Sequence, residues 1–278
     1  GGGAAGVPSL ALVGATAVVP AALLRRGYVF SVGYALSVSA MGAALMKTFG
    51  VPVLPPSLSS SPPAHNLARL LSLYGVRLAS HLLLREATVE GKAEATRSFD
   101  AGGGSRLKRV PFTLSVSIFY AFMVCPVMYA LRSADVGGSG VGAVLERAGL
   151  VTALFGFVLE AEADRHKFVV KRRHCVPYSR EATKKEFVGP TGGTYALCRH
   201  PNYLGHVLFW TGILLGGTPS LGKNTVGWVC SSLGWYGIFS VMKMAAKRLE
   251  EKQQESYGGQ EKFDTWREQV KGALWPTF

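Results

Sequence analysis

A seven-residue stretch, Arg199 to Gly205, combines strong hydrogen-bond donors with a signal for the start of a helix. Arg199 and His200 stand directly before Pro201, and proline is favoured at the first helical position because its φ is fixed and its missing N–H is not needed there. The residue before a proline avoids the α region, so a helix should begin at Pro201. Free backbone N–H groups at that start, together with the two side chains, would bind an anion such as a phosphate or a carboxylate. A basic anchor at a membrane surface, followed by a buried helix, explains the stretch about as well.

A second group of ionisable residues has helical spacing upstream of this stretch. Glu160, Asp164, Lys167 and Lys171 are four, three and four residues apart and therefore share one face of a helix. The carboxylates could bind ribose hydroxyls and the lysines could bind phosphates. Ion pairs along a solvated helix explain the same spacing, and such pairs are individually weak. Glu160 lies at the edge of an apolar window, where an unpaired charge is costly and is usually paired or functional.

Three further ionisable residues fall inside apolar windows. Arg77 would either bind an anionic ligand group or pair with a buried carboxylate such as Glu160. His81 and His206 are lone histidines on mostly apolar helices, and such histidines more often bond to a neighbour than act in catalysis. The four cysteines lie far apart without paired spacing, so the sequence predicts no metal site, and it identifies no catalytic residue.

The elements that must position these residues are apolar helices. Of the 278 residues, 48% are hydrophobic and only 17% are charged, whereas about a quarter are charged in soluble domains. This composition favours an all-α, polytopic membrane helix bundle. Several windows approach the roughly 20 residues of a spanning helix, although the sixth is short. The seven predicted spans are 7–24, 28–46, 67–84, 111–131, 148–160, 203–217 and 226–242.

The fifth span should continue as a helix out of the membrane, because residues 160–167 are good helix formers. With seven spans, 24 of the 30 lysines and arginines fall on one side, which carries a basic loop, 165–202, and an amphipathic tail, 243–278. That side would face the cytosol, the stroma or the matrix, so we expect an endoplasmic reticulum, plastid or mitochondrial membrane.

The net charge of +13 does not predict a nucleic-acid partner, because the basic residues lie between apolar windows, where membrane topology explains them. The chain begins with glycine. That is expected if a targeting peptide has been removed or if the true N-terminus is unseen.

Three motifs resemble the membrane-bound steroid 5-alpha-reductase superfamily, and most closely its domain-of-unknown-function 1295 branch. The resemblance covers residues from about 65 to the end of what would be a single membrane-embedded domain, whereas residues 1–64 match in hydrophobicity alone. The motifs, in chain order, are Tyr74-Gly75-Val76-Arg77-Leu78-Ala79 with Leu82-Leu83-Leu84-Arg85, Glu160-x-x-x-Asp164-x-x-Lys167, and Gly193-x-Tyr195-x-x-Cys198-Arg199-His200-Pro201-Asn202-Tyr203-Leu204-Gly205.

This resemblance implies a membrane-bound reductase that uses NADPH to reduce a carbon–carbon double bond of a sterol or another lipid. Its partners would be membrane lipids and a lipid-like substrate. Asp164 and Asn202 match residues that bind the dinucleotide in the reductases, and Lys171 replaces a basic residue there. The expected NADP(H) contacts are Glu160, Asp164, Lys167, Lys171, Tyr195, Arg199, His200, Asn202 and Tyr203.

Two departures from the reductase pattern keep other functions open. The glycine of the motif is usually followed by glutamate, which is His206 here, and the first two spans contain no acid that could polarise a substrate carbonyl. The alternative is an accessory subunit of a larger organellar membrane complex, without a working cofactor site. A third possibility is an S-adenosylmethionine-dependent isoprenylcysteine-type methyltransferase, which carries a similar Arg-His-Pro motif. Those enzymes have an arginine four residues ahead of a Glu-Glu pair, and Ala246 occupies that position here.

Overall fold

The structure, a computed structural model, describes residues 6–54, 61–101, 105–133, 140–173 and 186–277. All regular secondary structure in these ranges is helical, which confirms the all-α prediction. Short 3-10 helices cover Arg26–Phe30, Arg106–Arg109, Gly193–Ala196 and Thr218–Ser220. The α-helices are α1 (Val7–Leu24), α2 (Val32–Thr48), α3 (Pro63–Thr88), α4 (Glu90–Ala101), α5 (Val110–Arg132), α6 (Val141–Arg173), α7 (Pro201–Gly217), α8 (Thr225–Tyr257) and α9 (Glu261–Gln269).

Among the described residues, four helical segments are long and apolar enough to cross a membrane. They indicate a membrane protein, but the predicted count of seven spans is not confirmed. The second and sixth predicted spans became α2 and α7, which have 17 residues each and are short for a bilayer. The seventh became the start of α8, where serine, glycine, tryptophan and tyrosine dilute the apolar residues. The four segments are Val7–Leu24, Pro63–Thr88, Arg106–Arg132 and Val141–Arg172.

Two local predictions about the helices that carry the candidate site are confirmed. α7 begins at Pro201, where proline has no N–H to leave unpaired. α6 continues without interruption past Glu160 to Arg173, so the four spaced residues 160, 164, 167 and 171 do lie on one helix.

The chain divides into two compact units. The first unit comprises residues 1–154 and 210–236, and the second comprises residues 155–209 and 237–278. The long helices α6 and α8 and the shorter α7 each contribute residues to both units.

Aromatic side chains form the centre of the first unit. The fully buried Trp210 donates its indole N–H to the Tyr34 hydroxyl at 2.8 Å, and its ring meets that of Tyr74 edge-on at a centroid distance of 6.2 Å. Tyr120 packs against Tyr34 and donates its hydroxyl to the Val29 carbonyl at 2.7 Å. The indole of Trp210 and the hydroxyls of Tyr34 and Tyr120 therefore each take part in a hydrogen bond, as buried tryptophan and tyrosine require.

A smaller aromatic cluster holds the second unit together. Phe187, in the segment before α7, stacks on Trp266 of α9 at 5.7 Å and meets Phe263 edge-on at 5.0 Å. Tyr257, at the end of α8, packs against the same two phenylalanines. The cluster fixes residues 186–190 against α9 and the end of α8, beside the stretch that carries the candidate site.

Gly75 allows α3 to approach α2 backbone to backbone in the first unit. A Cβ atom at this position would collide with the Ala35 carbonyl and lie 2.6 Å from the Ser39 backbone nitrogen. Gly142 of α6 provides a matched comparison, because a Cβ there would meet its nearest atom, in Pro219, at 3.6 Å, an ordinary contact.

We predict that Gly75→Ala destabilises the protein by about 1–3 kcal/mol through overpacking. Gly142→Ala should be neutral or slightly stabilising, because alanine favours a helix more than glycine does. The measurement is unfolding of each detergent-purified variant. Equal stability of the two variants would contradict the close approach of α2 and α3.

Candidate functional site

Glu250 of α8 is the centre of a charged cluster in the second unit. Arg199 donates to this carboxylate through two nitrogens: Nε lies 3.0 Å from both oxygens and Nη2 lies 2.8 Å from Oε2. His200 approaches the other oxygen with Nε2 at 2.7 Å, and Arg267 of α9 lies 2.8 Å away. Two guanidinium groups and an imidazole thus surround one acid. The fork of an arginine fits a carboxylate in this way, which makes such pairs strong and directional.

Arg199 and His200 also bind the residues that follow α9, from Val270 onward, and the word tail refers to these residues from here on. The backbone N–H groups of Arg199 and His200 donate to the carbonyls of Gly272 and Ala273 at 2.9 Å each. Nη1 of Arg199 donates to the carbonyls of Val270 and Lys271, the latter at 2.8 Å. The predicted anion-binding donors are therefore engaged inside the protein, where they join α8, α9 and the tail to the start of α7.

Sequence reasoning missed Glu250, although the spacing along α8 carried a signal for it. Ala246, Glu250, Gln253 and Tyr257 are four, three and four residues apart, so they share a helix face. Ala246 is buried, and Tyr257 joins the aromatic cluster. A glutamate between such residues is half-buried and needs a cation, whereas its neighbour Glu251 is exposed and faces Lys247 at 4.0 Å.

The protonation states in this cluster follow from burial and charge. Burial lowers the pKa of His200 and outweighs the opposing hydrogen bond to Glu250, so the imidazole is neutral and donates through Nε2. Burial alone would raise the pKa of Glu250, but hydrogen bonds from His200 and Arg199 lower it to about 2. Glu250 is therefore ionised at neutral pH, and Arg199 and Arg267 supply the countercharge.

Glu160 and His206 form a second buried pair. Both side chains are almost inaccessible, at 5% and 7% exposure, and His206 Nδ1 lies 3.3 Å from Glu160 Oε2. Gly205, the residue before His206, explains how the Glu160 and His206 side chains meet: a Cβ on Gly205 would lie 2.5 Å from the backbone nitrogen of Glu160. The motif glycine thus lets α7 touch α6 at this point. The histidine that departs from the reductase pattern is the partner of a motif glutamate.

Asp164 lies one turn further along α6 and contacts the first turn of α7. Asn202 donates its side-chain amide to Asp164 Oδ1 at 3.3 Å. The carbonyl oxygen of the same Asn202 side chain is buried and accepts no hydrogen bond within the described residues. Tyr195 is buried behind this pair and donates its hydroxyl to the Ala163 carbonyl at 3.3 Å.

Lys167 and Lys171 line a narrow crevice beside this group. Its other walls include Arg199, Gln253 and the segment from Phe187 to Pro190. The crevice has a volume of about 20 Å³, which is room for about one water molecule. The side-chain oxygen of Gln253 is buried and has no hydrogen-bond partner among the described residues. A larger ligand would need residues 187–190 to move outward.

Cys198 is fully buried beside the motif. It packs with Leu159 of α6, Leu204 of α7 and Leu274 of the tail, and burial raises the pKa of its thiol. Tyr203 lies at the edge of this cluster, with its ring 5.6 Å from that of His200. The tail is therefore attached to the motif by apolar packing as well as by hydrogen bonds.

All nine expected cofactor contacts, and His206, belong to the second unit, whereas Arg77 and His81 lie on α3 in the first unit. Whether Arg77 pairs with Glu160 stays a prediction. Within the described residues, no group of three or more histidine, cysteine, aspartate or glutamate side chains could hold a metal ion.

Comparison with known proteins places this chain in a family. Residues 33–270 match the model of a family described as protein of unknown function, DUF1295. The chain belongs to the DUF1295 family. This family is part of the steroid 5-alpha-reductase-like superfamily, as the three motifs predicted. No curated protein and no solved structure matches the chain.

We predict that Glu250→Gln destabilises this DUF1295 protein by about 3 kcal/mol or more, because it leaves two poorly exposed guanidinium groups without their counterion. Glu251→Gln, one residue further on, removes only an exposed pair and should change stability by less than about 0.5 kcal/mol. Denaturant or thermal unfolding in detergent measures both. Similar losses in the two variants would show that Glu250 does not organise the cluster.

Acid should destabilise the DUF1295 protein in two steps. Below pH 6.5 the unfolded chain binds a proton at His200 that the folded protein excludes, because the folded pKa is lowered, so stability falls. Between pH 4.5 and about 2, protonation of Glu250 removes the stability that its ion pairs contribute.

Unfolding of the wild type and of His200→Gln across this pH range tests the first step. The variant should lose less stability than the wild type on acidification through pH 6.5. An identical pH dependence of the two proteins would exclude a neutral, buried His200.

Proposed function

We propose that this DUF1295 protein is a membrane-bound, NADP(H)-dependent reductase that acts on a carbon–carbon double bond of a sterol or another lipid. One observation carries the proposal. On α6, two buried carboxylates, Glu160 and Asp164, are followed at helical spacing by two lysines, Lys167 and Lys171, that line one crevice. Groups that could bind ribose hydroxyls and groups that could bind phosphates thus follow one another along α6, and adjacent ribose and phosphate groups of a dinucleotide need such neighbours.

The residues present fit such a cofactor in their hydrogen-bonding capacity. The orphaned side-chain oxygens of Asn202 and Gln253 are acceptors, which match the hydroxyl and amide donors of a dinucleotide. A buried acceptor without a partner costs about 1–3 kcal/mol, so a ligand donor at these atoms would recover that energy. Asp164 already orients the amide of Asn202 and thereby fixes which atom faces a ligand.

The basic residues of the crevice fit the phosphates. Lys167 and Lys171 lie one helical turn apart, and an ammonium group serves as a point charge for a phosphate. Arg199 already binds Glu250, so Lys167 and Lys171 are the crevice residues that we expect to contact the phosphates. A contact between them and the 2′-phosphate would favour NADP(H) over NAD(H). When bound, NADPH would supply the hydride. The residues described here would bind it, orient it and neutralise its phosphates.

A second candidate function, an accessory subunit of a larger membrane complex, is favoured by a different observation. Arg199 and His200, the first two side chains of the Arg-His-Pro-Asn-Tyr motif, bind Glu250, and Arg199 also binds the carbonyls of the tail. These two residues would be needed to hold the second unit together even in a chain that binds no cofactor. In such a subunit, the residues that match the nucleotide contacts of reductases would bind no cofactor. The protein would then purify within a larger assembly.

We predict that Lys171→Gln and Asn202→Ala each weaken NADPH binding about tenfold, which corresponds to about 1.4 kcal/mol. Arg165→Gln is a matched control, because Arg165 is an exposed cation on the same helix that pairs with Glu162. The measurement is a thermal-shift titration of each purified variant with NADPH, NADH and S-adenosylmethionine.

The proposal requires saturable stabilisation of the wild type by NADPH, weaker stabilisation by NADH, and an unchanged response of Arg165→Gln. Absence of any response, together with purification only in a large assembly, would replace the reductase with the accessory subunit. Stabilisation by S-adenosylmethionine alone would point instead to a methyltransferase.

A further inference from the structure

A separate cavity of about 360 Å³ lies within the first unit. That volume falls within the range of small-molecule sites, about 300–1,000 Å³. The 3-10 helix after α1, the start of α2, the end of α3 and part of α4 form its walls. Its chemistry is mixed: the polar lining includes Tyr28, Arg85 and Glu86, and the apolar lining includes Leu82 and Phe99.

Glu86, the acidic residue of the lining, and Asp100, which follows the lining residue Phe99 in the chain, already have cationic partners. Glu86 accepts the Tyr28 hydroxyl at 2.9 Å, and Arg25 lies 3.4 Å from its other oxygen. Asp100, at the end of α4, accepts the backbone N–H of Arg26 at 2.7 Å and pairs with Arg109 at 3.1 Å. Each carboxylate is thus neutralised by an arginine of the same unit.

Positive charge remains after these pairs are formed. Arg85 lines the cavity, and among the described residues its guanidinium has neither a hydrogen bond nor an ion pair. The guanidinium of Arg26 lies over the ring of Phe99 at 4.8 Å, a contact that leaves its N–H edge open to a further acceptor. An anion is therefore the ligand that this cavity favours.

The position of the cavity indicates which kind of anion it binds. Two of the four candidate membrane spans, α1 and α3, end beside it, at Leu24 and Thr88. The boundary of a span is the level of lipid headgroups, where arginines commonly face anionic lipids. Apolar side chains around it are exposed: Leu24 at 66%, Leu84 at 50% and Phe99 at 52%. A ligand with a charged head and an apolar chain would cover these side chains, whereas a free ion would not.

We propose that this cavity binds the headgroup of an anionic membrane phospholipid, with the phosphate on Arg85 and the acyl chains along the exposed apolar side chains. Arg85 donates to the phosphate through its two-nitrogen fork, and Leu82 and Phe99 contact the first carbons of the chains. This site is independent of the reductase proposal, because its residues lie in the first unit and none belongs to the expected nucleotide contacts.

The test is binding of soluble lipids to the full chain in an uncharged detergent, measured by calorimetry or by shift of the unfolding temperature. The probes are dihexanoylphosphatidylglycerol, dihexanoylphosphatidylcholine, hexanoate and inorganic phosphate. We expect phosphatidylglycerol to bind at least about tenfold more tightly than the other three, since a hydrogen-bonded charge contact is worth about that factor. Arg85→Gln should abolish the preference, and Arg85→Lys should keep part of it.

Arg97→Gln is the matched control, because Arg97 is an exposed arginine of α4 that does not line the cavity. It should leave the phosphatidylglycerol affinity unchanged. Equal binding of phosphatidylcholine, or an unchanged affinity in Arg85→Gln, would overturn the proposal. Equally tight binding of inorganic phosphate would reduce the site to an anion site without lipid specificity, and tighter binding of hexanoate would replace the phospholipid with a fatty acid.

Discussion

The second unit depends on the neutralisation of one partly buried carboxylate. Removing an ion from water is expensive, and the cost is recovered only when opposite charges and hydrogen bonds surround it closely. Glu250 meets this condition with partners from two other places in the chain: Arg199 and His200 before α7, and Arg267 on α9. Since each partner must reach the same acid, the positions of these segments are coupled. The hydrogen bonds of the tail and the packing of the aromatic cluster depend on these coupled positions.

This coupling separates two roles within one motif. Arg199 and His200 point toward Glu250, so they serve the architecture. Asn202 points toward Asp164, and its buried side-chain oxygen accepts no hydrogen bond from the part of the chain that the structure describes. Pro201 stands between them and begins the helix. The proline therefore separates two residues that bind Glu250 from the one that binds Asp164. The resemblance to reductases assigns all these residues to cofactor binding, but their surroundings in the structure differ from one another.

The start of α7, the length of α6 and the shared helix of four candidate residues could be predicted from the sequence, because each depends on a local signal. Proline chemistry placed the start of α7, helix propensity carried α6 past Glu160, and spacing put 160, 164, 167 and 171 on one helix. The number of spans was harder to predict, because α2 and α7 are apolar yet only 17 residues long, and apolarity alone does not separate a spanning helix from a buried one. Partners distant in sequence were out of reach. The residues around Glu250 do not identify Arg199 as its partner, and those around Glu160 do not identify His206. Side chains that are distant in sequence and meet through folding leave no local pattern.

The burial of Cys198 gives this arrangement a chemical consequence. Its sulfur is enclosed by residues of α6, α7 and the tail, and it immediately precedes Arg199. A thiol that is both protonated and enclosed does not react with alkylating reagents. Separation of the tail from the motif would expose the sulfur. The rate at which an alkylating reagent labels Cys198 therefore reports how often the second unit opens, and the measurement needs no introduced cysteine.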